Sequence, residues 1–249
     1  MSGALQAPPD RSPSVAQRAP RAQVGVWRTV GAVLRKELRV ELRTLESVPA
    51  MTLFSLTTFV LFHFALNRSS VEGDLAAGIL WVTLLFASIL GVNRLFVADA
   101  EEGGFDGFLL APVDRSAMFI AKVLTLLAYL VALEIVAVPA FALLLLGSPL
   151  GPALPGLVLT LLLADIGVAV IGTMVAAMAV RTRSRDLLGP LLALPLFVPI
   201  VIGGARATAP LLAFSHATWP AGRWLATLGL YDLLFGLIAY ALFDFLLED

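Results

Sequence analysis

The 249-residue sequence has no cysteine, two histidines and two lysines, Lys36 and Lys122. Without cysteine there is no disulfide framework, no thiolate metal site and no redox sign of compartment. Neither lysine follows a glycine-rich loop of the G-x-x-x-x-G-K-[ST] kind, so the chain carries no ATP site of that type and draws any energy it uses from a partner. Charge is scarce as well: 14% of residues are Asp, Glu, Lys or Arg, against 59% hydrophobic. A net charge of −1 gives no sign of a nucleic-acid partner, and none is expected.

What the sequence does have is apolar length. Its mean hydropathy of +0.92 is beyond what a water-soluble fold could hide behind so few charges. Six apolar runs, at 49–66, 75–96, 117–146, 155–180, 187–205 and 224–247, approach or exceed the roughly 20 residues a helix needs to cross a hydrocarbon core of about 30 Å. They are continuous rather than alternating, and lipid offers an unpaired backbone N–H no partner, so the expected fold is an all-α membrane protein with six transmembrane helices. The first run starts near Pro49, too late for the core of a cleaved signal peptide, and is expected to remain as an anchor.

Lys and Arg set the orientation. Arg11, Arg18, Arg21, Arg28, Arg35, Lys36, Arg39 and Arg43 precede the first run; Arg94, Arg115 and Lys122 surround the second connection; Arg181, Arg183 and Arg185 fill the fourth. The opposite side receives only Arg68, Arg206 and Arg223. By the positive-inside rule both termini are cytoplasmic.

Residues 1–23 are rich in Pro, Ala, Ser and Arg without apolar periodicity, and are expected to form a disordered tail. Over 24–48, Trp27, Val30, Leu34, Leu38, Leu42 and Leu45 recur at helical spacing with Arg28, Arg35, Lys36, Arg39 and Arg43 on other faces. This is the pattern of a cytoplasmic amphipathic helix at the membrane surface; the competing reading is a helix packed on the rest of the protein. Pro190, Pro195 and Pro199 are expected to interrupt the fifth span and Pro139 lies in the third; such breaks need neighbouring helices, which predicts an enclosed fifth span. Residues 203–222, too polar to span, predict a short re-entrant or interfacial turn on the outer face. Gly172 and Ala176, four apart, permit close helix approach.

The densest charge sits in VADAEEGGFDGFLLAPVDRS, residues 97–116, where five carboxylates, three glycines and a proline lie between two apolar runs. As a helix lying under the membrane it gathers Phe105, Phe108, Leu109 and Pro112 on one side and Asp99, Glu102 and Asp106 on another. The plainest account is an amphipathic loop kept out of lipid by its acids. The Phe-Leu face and terminal Pro-Val also have the form of a docking element.

The run from Asp99 to Val113, closing here on Leu109-Leu110-Ala111-Pro112, resembles the acidic, Gly-containing segment that follows the second span of ABC-2-type exporter permeases. More narrowly, GILWVTLLFASILGVNRLF leading into it and MFIAKVL after it resemble the haem exporter protein B family, CcmB. Gly104, where many relatives have Thr, and Asp106, replacing a common Glu, depart from that pattern. The resemblance implies an ABC-2-type exporter permease bundle over 49–249, working as a homodimer with a separate cytoplasmic ATPase that hydrolyses the ATP. It implies haem-handling membrane subunits as further partners, membrane lipids around the bundle, and placement in a bacterial inner membrane. It also implies that residues 99–112 are the coupling helix, with Asp99, Glu101, Glu102, Gly103, Asp106, Phe108 and Pro112 meeting the ATPase.

With haem as the implied cargo, His63 and His216 are the two nitrogens that could ligate its iron, although an interfacial histidine with an apolar body and a wet tip needs no such role. Trp27, Trp81, Trp219 and Trp224 are scattered and make no WWD-type signature of a direct haem binder. Glu134 and Asp165 lie inside the third and fourth spans, where a carboxylate is costly; structural pairing and a place on the transport path stay open. Two other functions share this sequence: an ABC-2 permease for a lipid, polysaccharide or drug, and a membrane scaffold that holds a haem-delivery complex without moving anything.

Overall fold

The computed structural model describes residues 25–95, 115–146, 150–180, 185–213 and 221–246. Seven α-helices account for most of them: α1 (Val26–Thr44), α2 (Ser47–Ala65), α3 (Gly73–Arg94), α4 (Arg115–Leu144), α5 (Leu154–Val180), α6 (Arg185–Thr208) and α7 (Gly222–Leu246). Helices α2 to α7 supply six segments long and apolar enough to cross a membrane, as expected from the sequence. The tail over 1–23 lies outside the described residues.

The bundle is organised around α5, which packs against α6, α7, α4 and α3, while α3 touches α6, α2 and α4. Helices α3 and α5 are the most enclosed spans, and α2 and α7 the least. This corrects the expectation for the fifth span: α6 leaves Leu191, Leu192, Val198 and Ile202 exposed. Nor do its three prolines interrupt it, since α6 runs unbroken through Pro190, Pro195 and Pro199. Neighbouring helices hold it: Phe197 and Ile200 are fully buried, and Tyr231 of α7 donates its hydroxyl to the Leu196 carbonyl at 2.8 Å.

Small residues set the helix spacing. A Cβ on Gly172 of α5 would stand 2.6 Å from Val92 Cγ2 of α3 and 3.0 Å from Leu126 Cδ2 of α4. The small face at Gly172 and Ala176 is therefore filled from within the chain. On α6 the Trp81 indole lies against Gly204, so closely that any side chain there would collide, and its Nε1 donates to Thr208 Oγ1 at 2.9 Å. These contacts carry α6 as helix through Gly203 to Thr208, a stretch the sequence reading assigned to an outer turn. The turn itself begins at Ala209, and Gly73 N donates to Leu212 O at 3.0 Å across it.

Helix α1 meets α2 at a tight elbow. Leu45 takes a left-handed conformation with φ of 52°, a cost of about 1–2 kcal/mol for a residue with a Cβ. Glu41 offsets it: its Oε1 accepts from Ser47 N at 2.9 Å and Val48 N at 2.8 Å, and Pro49, next in the turn, has no N–H to satisfy. The carboxylate thus closes the donor end of α2 and complements its dipole. Glu41→Ala is expected to destabilise the protein by about 1–3 kcal/mol, since it strips a charged acceptor from buried donors, and Glu41→Gln by less; denaturant titration in mixed micelles measures both.

Candidate functional site

The acidic segment and its residues Asp99, Glu101, Glu102, Gly103, Asp106, Phe108 and Pro112 lie outside the described residues, as do His216 and Trp219. What is described is the joint at the segment's two ends, Leu95 and Arg115. Lys122, two turns into α4, is 1% exposed, and its Nζ donates to the Leu95 carbonyl at 3.0 Å. The same Nζ lies 3.2 Å from Glu37 Oε1 of α1. A helix C-terminus presents carbonyls without intrahelical donors, so a cation at the end of α3 is held both by hydrogen bonding and by the helix dipole. Around this pair, Val30 and Val33 of α1 pack on Ala117 and Ala121 of α4. Arg94 and Glu46 add a 3.2 Å ion pair between the end of α3 and the α1–α2 elbow, exposed on both sides and worth little alone.

Sequence reasoning used Lys122 for topology and to exclude a phosphate loop, and passed over Glu37 and Glu41. A signal was present: Val30, Val33, Glu37 and Glu41 are spaced three, four and four, placing two acids on the apolar ridge of an Arg-rich helix. The amphipathic pattern had been drawn through Val30, which is buried on α4, whereas Trp27, Leu42 and Leu45 remain exposed. The helix has two apolar faces: one docked on α4, the other open beside Arg35 and Arg39.

Inside the bundle, Glu134 of α4 and Asp165 of α5 face each other closely enough for their carboxyls to interact, so the structure brings together two residues the sequence had only placed in separate spans. Asp165 is buried, and its Oδ2 has no hydrogen-bond partner. A third acid, Asp232 of α7, was missed, although a lone carboxylate in LGLYDLLFGLI is the same kind of signal as Asp165. It lies against Gly167 of α5.

At the end of the bundle away from Lys122, His63 Nδ1 stands 2.6 Å from the Leu144 carbonyl and ties the end of α2 to that of α4. A carbonyl only accepts, so Nδ1 is the donor of this bond. The ends of α3, α6 and α7 enclose a cavity of about 420 Å³ lined by Asp74, Arg206, Ala209, Pro210, Ala221 and Trp224. Arg206 lies 3.8 Å from Asp74, and the Arg223 guanidinium stands 5.3 Å over the Trp224 ring. Among the described residues no three His, Asp or Glu side chains converge as a metal site.

The sequence model of the CcmB protein matches residues 28–242, from α1 into the last turns of α7. The chain belongs to the CcmB family. Heme exporter protein B of Rhodobacter capsulatus is 35% identical over 176 residues, 70% of this chain and 80% of its own length. The Bradyrhizobium diazoefficiens protein of that name is 33% identical over 217 residues, 85% of this chain and 95% of its own. That of Pseudomonas aeruginosa is 31% identical over 176 residues, 70% and 78% respectively. The CcmB match takes in α1 together with the spans, so the joint lies wholly inside the family region.

In this CcmB-family chain, Lys122→Met is expected to destabilise the joint by about 3 kcal/mol, because it takes the donor from the Leu95 carbonyl and leaves Glu37 only the longer 3.7 Å contact to Lys36. Adding Glu37→Gln should recover part of that loss, and a double-mutant cycle read by thermal unfolding in detergent gives the coupling.

Proposed function

We propose that this chain is the permease subunit of an ABC-type transporter that exports or releases haem toward the outer face for c-type cytochrome biogenesis, driven by a separate ATPase. The observation that carries the reading is family membership over residues 28–242, with relatives named heme exporter protein B matched across 78–95% of their own lengths. The six apolar spans and the lack of a Walker-type phosphate loop fit a subunit that moves cargo with borrowed work. It sits in the inner membrane with both termini cytoplasmic, as a pair, beside haem-handling membrane subunits. Trp27, Leu42 and Leu45 of α1 rest in the cytoplasmic leaflet, with Arg35 and Arg39 at phosphate level.

The joint is where work enters. Residues 99–112 act as the coupling helix, and the Lys122 contacts hold its two ends to α1. ATP binding draws the nucleotide-binding subunits together and rocks the bundle between two packed arrangements through that joint. No observation singles out a lipid, polysaccharide or drug as cargo, or a scaffold that moves nothing.

Deletion of the gene should abolish holocytochrome c and leave the apoprotein made, as read by haem staining; unchanged holocytochrome would assign another cargo. An ATPase-inactive partner that still assembles should block maturation equally, whereas continued maturation would favour the scaffold. Glu102→Lys with Asp106→Lys should reduce ATPase co-purification to background while the spans stay folded, and undiminished recovery would remove these acids from the contact.

A further inference from the structure

Hydroxyl side chains within the spans are mostly satisfied by their own helices. Thr83 donates to Ile79 O at 2.7 Å, Ser88 to Leu84 O at 2.7 Å and Thr160 to Gly156 O at 2.8 Å. The carboxyls are treated differently. Asp232 is 8% exposed, and neither of its oxygens has a hydrogen-bond partner. Its Oδ1 sits over Gly167 of α5, in space a Cβ would occupy, and Ile200 Cδ1 of α6 closes the same spot 2.9 Å from where that Cβ would be. Asp165 is 6% exposed with Oδ2 unpartnered. It precedes Gly167 by two residues, about 200° around α5 and about 3 Å along it. The two carboxyls therefore flank one central helix at nearly one depth, near the middle of their spans.

The ionisable groups on the elements packed around them are few. Helix α4 contributes Glu134, facing Asp165, and the buried Tyr129 more than a turn before it; α7 contributes Tyr231, whose hydroxyl is given to Leu196 O of α6, and the exposed Tyr240 further along. Among the described residues, the basic groups of these helices and of α2 lie toward the bundle's ends. Lys122 is about 18 Å from Glu134 along α4 and is engaged by Glu37 and Leu95. His63 is bonded to Leu144 O, about 15 Å beyond Glu134 on the other side. Arg206 pairs with Asp74 at the outer end of α6, and Arg223 lies at the start of α7.

An ionised carboxylate buried without a cation or hydrogen-bond donors costs several kcal/mol, more than a neutral carboxyl in the same place. We propose that Asp165 and Asp232 are proton-binding sites on opposite flanks of α5, each holding a proton in the packed bundle, with Glu134 sharing the Asp165 site. The inference is independent of the cargo. Its consequence has a definite sign: the packed seam between α5 and α7 binds a proton that a water-filled or unfolded seam releases at neutral pH. The packed form is then favoured at low pH and loses that advantage as pH rises.

Infrared spectroscopy of the full chain in lipid nanodiscs, with carboxyl-¹³C aspartate, tests this directly. At neutral pH the unaltered protein should show isotope-shifted C=O stretching bands of protonated aspartic acid; Asp232→Asn should remove one component and Asp165→Asn another. A spectrum with only carboxylate bands would overturn the proposal without any variant. So would variants that fold yet leave the protonated bands intact. As a second measurement, the thermal midpoint should fall between mildly acidic and mildly alkaline pH, and fall less in Asp232→Asn. Equal slopes in the two proteins would remove Asp232 from the proposal.

Discussion

Hydrocarbon supplies neither donors nor acceptors, so each polar atom carried into the membrane must find its partner within the protein or be neutral. That constraint organises this chain more than any single contact. It explains why most serines and threonines of the spans fold back on carbonyls four residues earlier, and why the Tyr231 hydroxyl of α7 is given to the Leu196 carbonyl of α6. It also explains why cations gather at the ends. The one lysine buried in a span, Lys122, sits where the α3 terminus and Glu37 can both reach it.

The three glutamates near the start of the described chain answer the same demand with three kinds of donor. Glu37 takes an ammonium, Glu41 two backbone N–H groups and Glu46 a guanidinium. Their strengths differ by burial. Glu41 and the Lys122 pair are shielded from water and hold geometry, whereas the Arg94–Glu46 pair is exposed and chiefly sets the local field. The outcome is that α1, which composition alone would assign to the membrane surface, is fastened at once to the first span and to the frame of the second connection. A helix held this way moves with the bundle.

How much of this was legible depends on which physical signal each feature leaves. The six spans were readable because hydrophobic length is a property of consecutive residues. Glu134 and Asp165 were readable as costly, but not as neighbours, since which faces of α4 and α5 meet is decided by packing. Asp232 left the same signal and was overlooked in a run of leucines. The continuity of α6 was misread because proline reports a lost donor locally, while the packing that holds the helix, including the Tyr231 bond to Leu196 O, comes from residues more than thirty positions away in sequence. Trp81 was read only as one of four scattered indoles; its seat on Gly204 and its bond to Thr208 join residues whose spacing carries no periodic pattern.

The same packing gives the joint a route into the bundle. Val92 lies one turn before Leu95, and Leu126 one turn after Lys122, so both ends of the second connection bear on Gly172 of α5 at distances that leave no room for a methyl group. A core packed to that density does not absorb a displacement gradually; it passes to another packed arrangement or stays where it is. A push at Leu95 and Lys122 would therefore reach α5 first. Five residues earlier on that helix is Gly167, with the Asp232 carboxyl in its notch, and seven earlier is Asp165. Any shift of α5 large enough to lift Asp232 from the notch would expose an acid whose neutrality depends on staying dry.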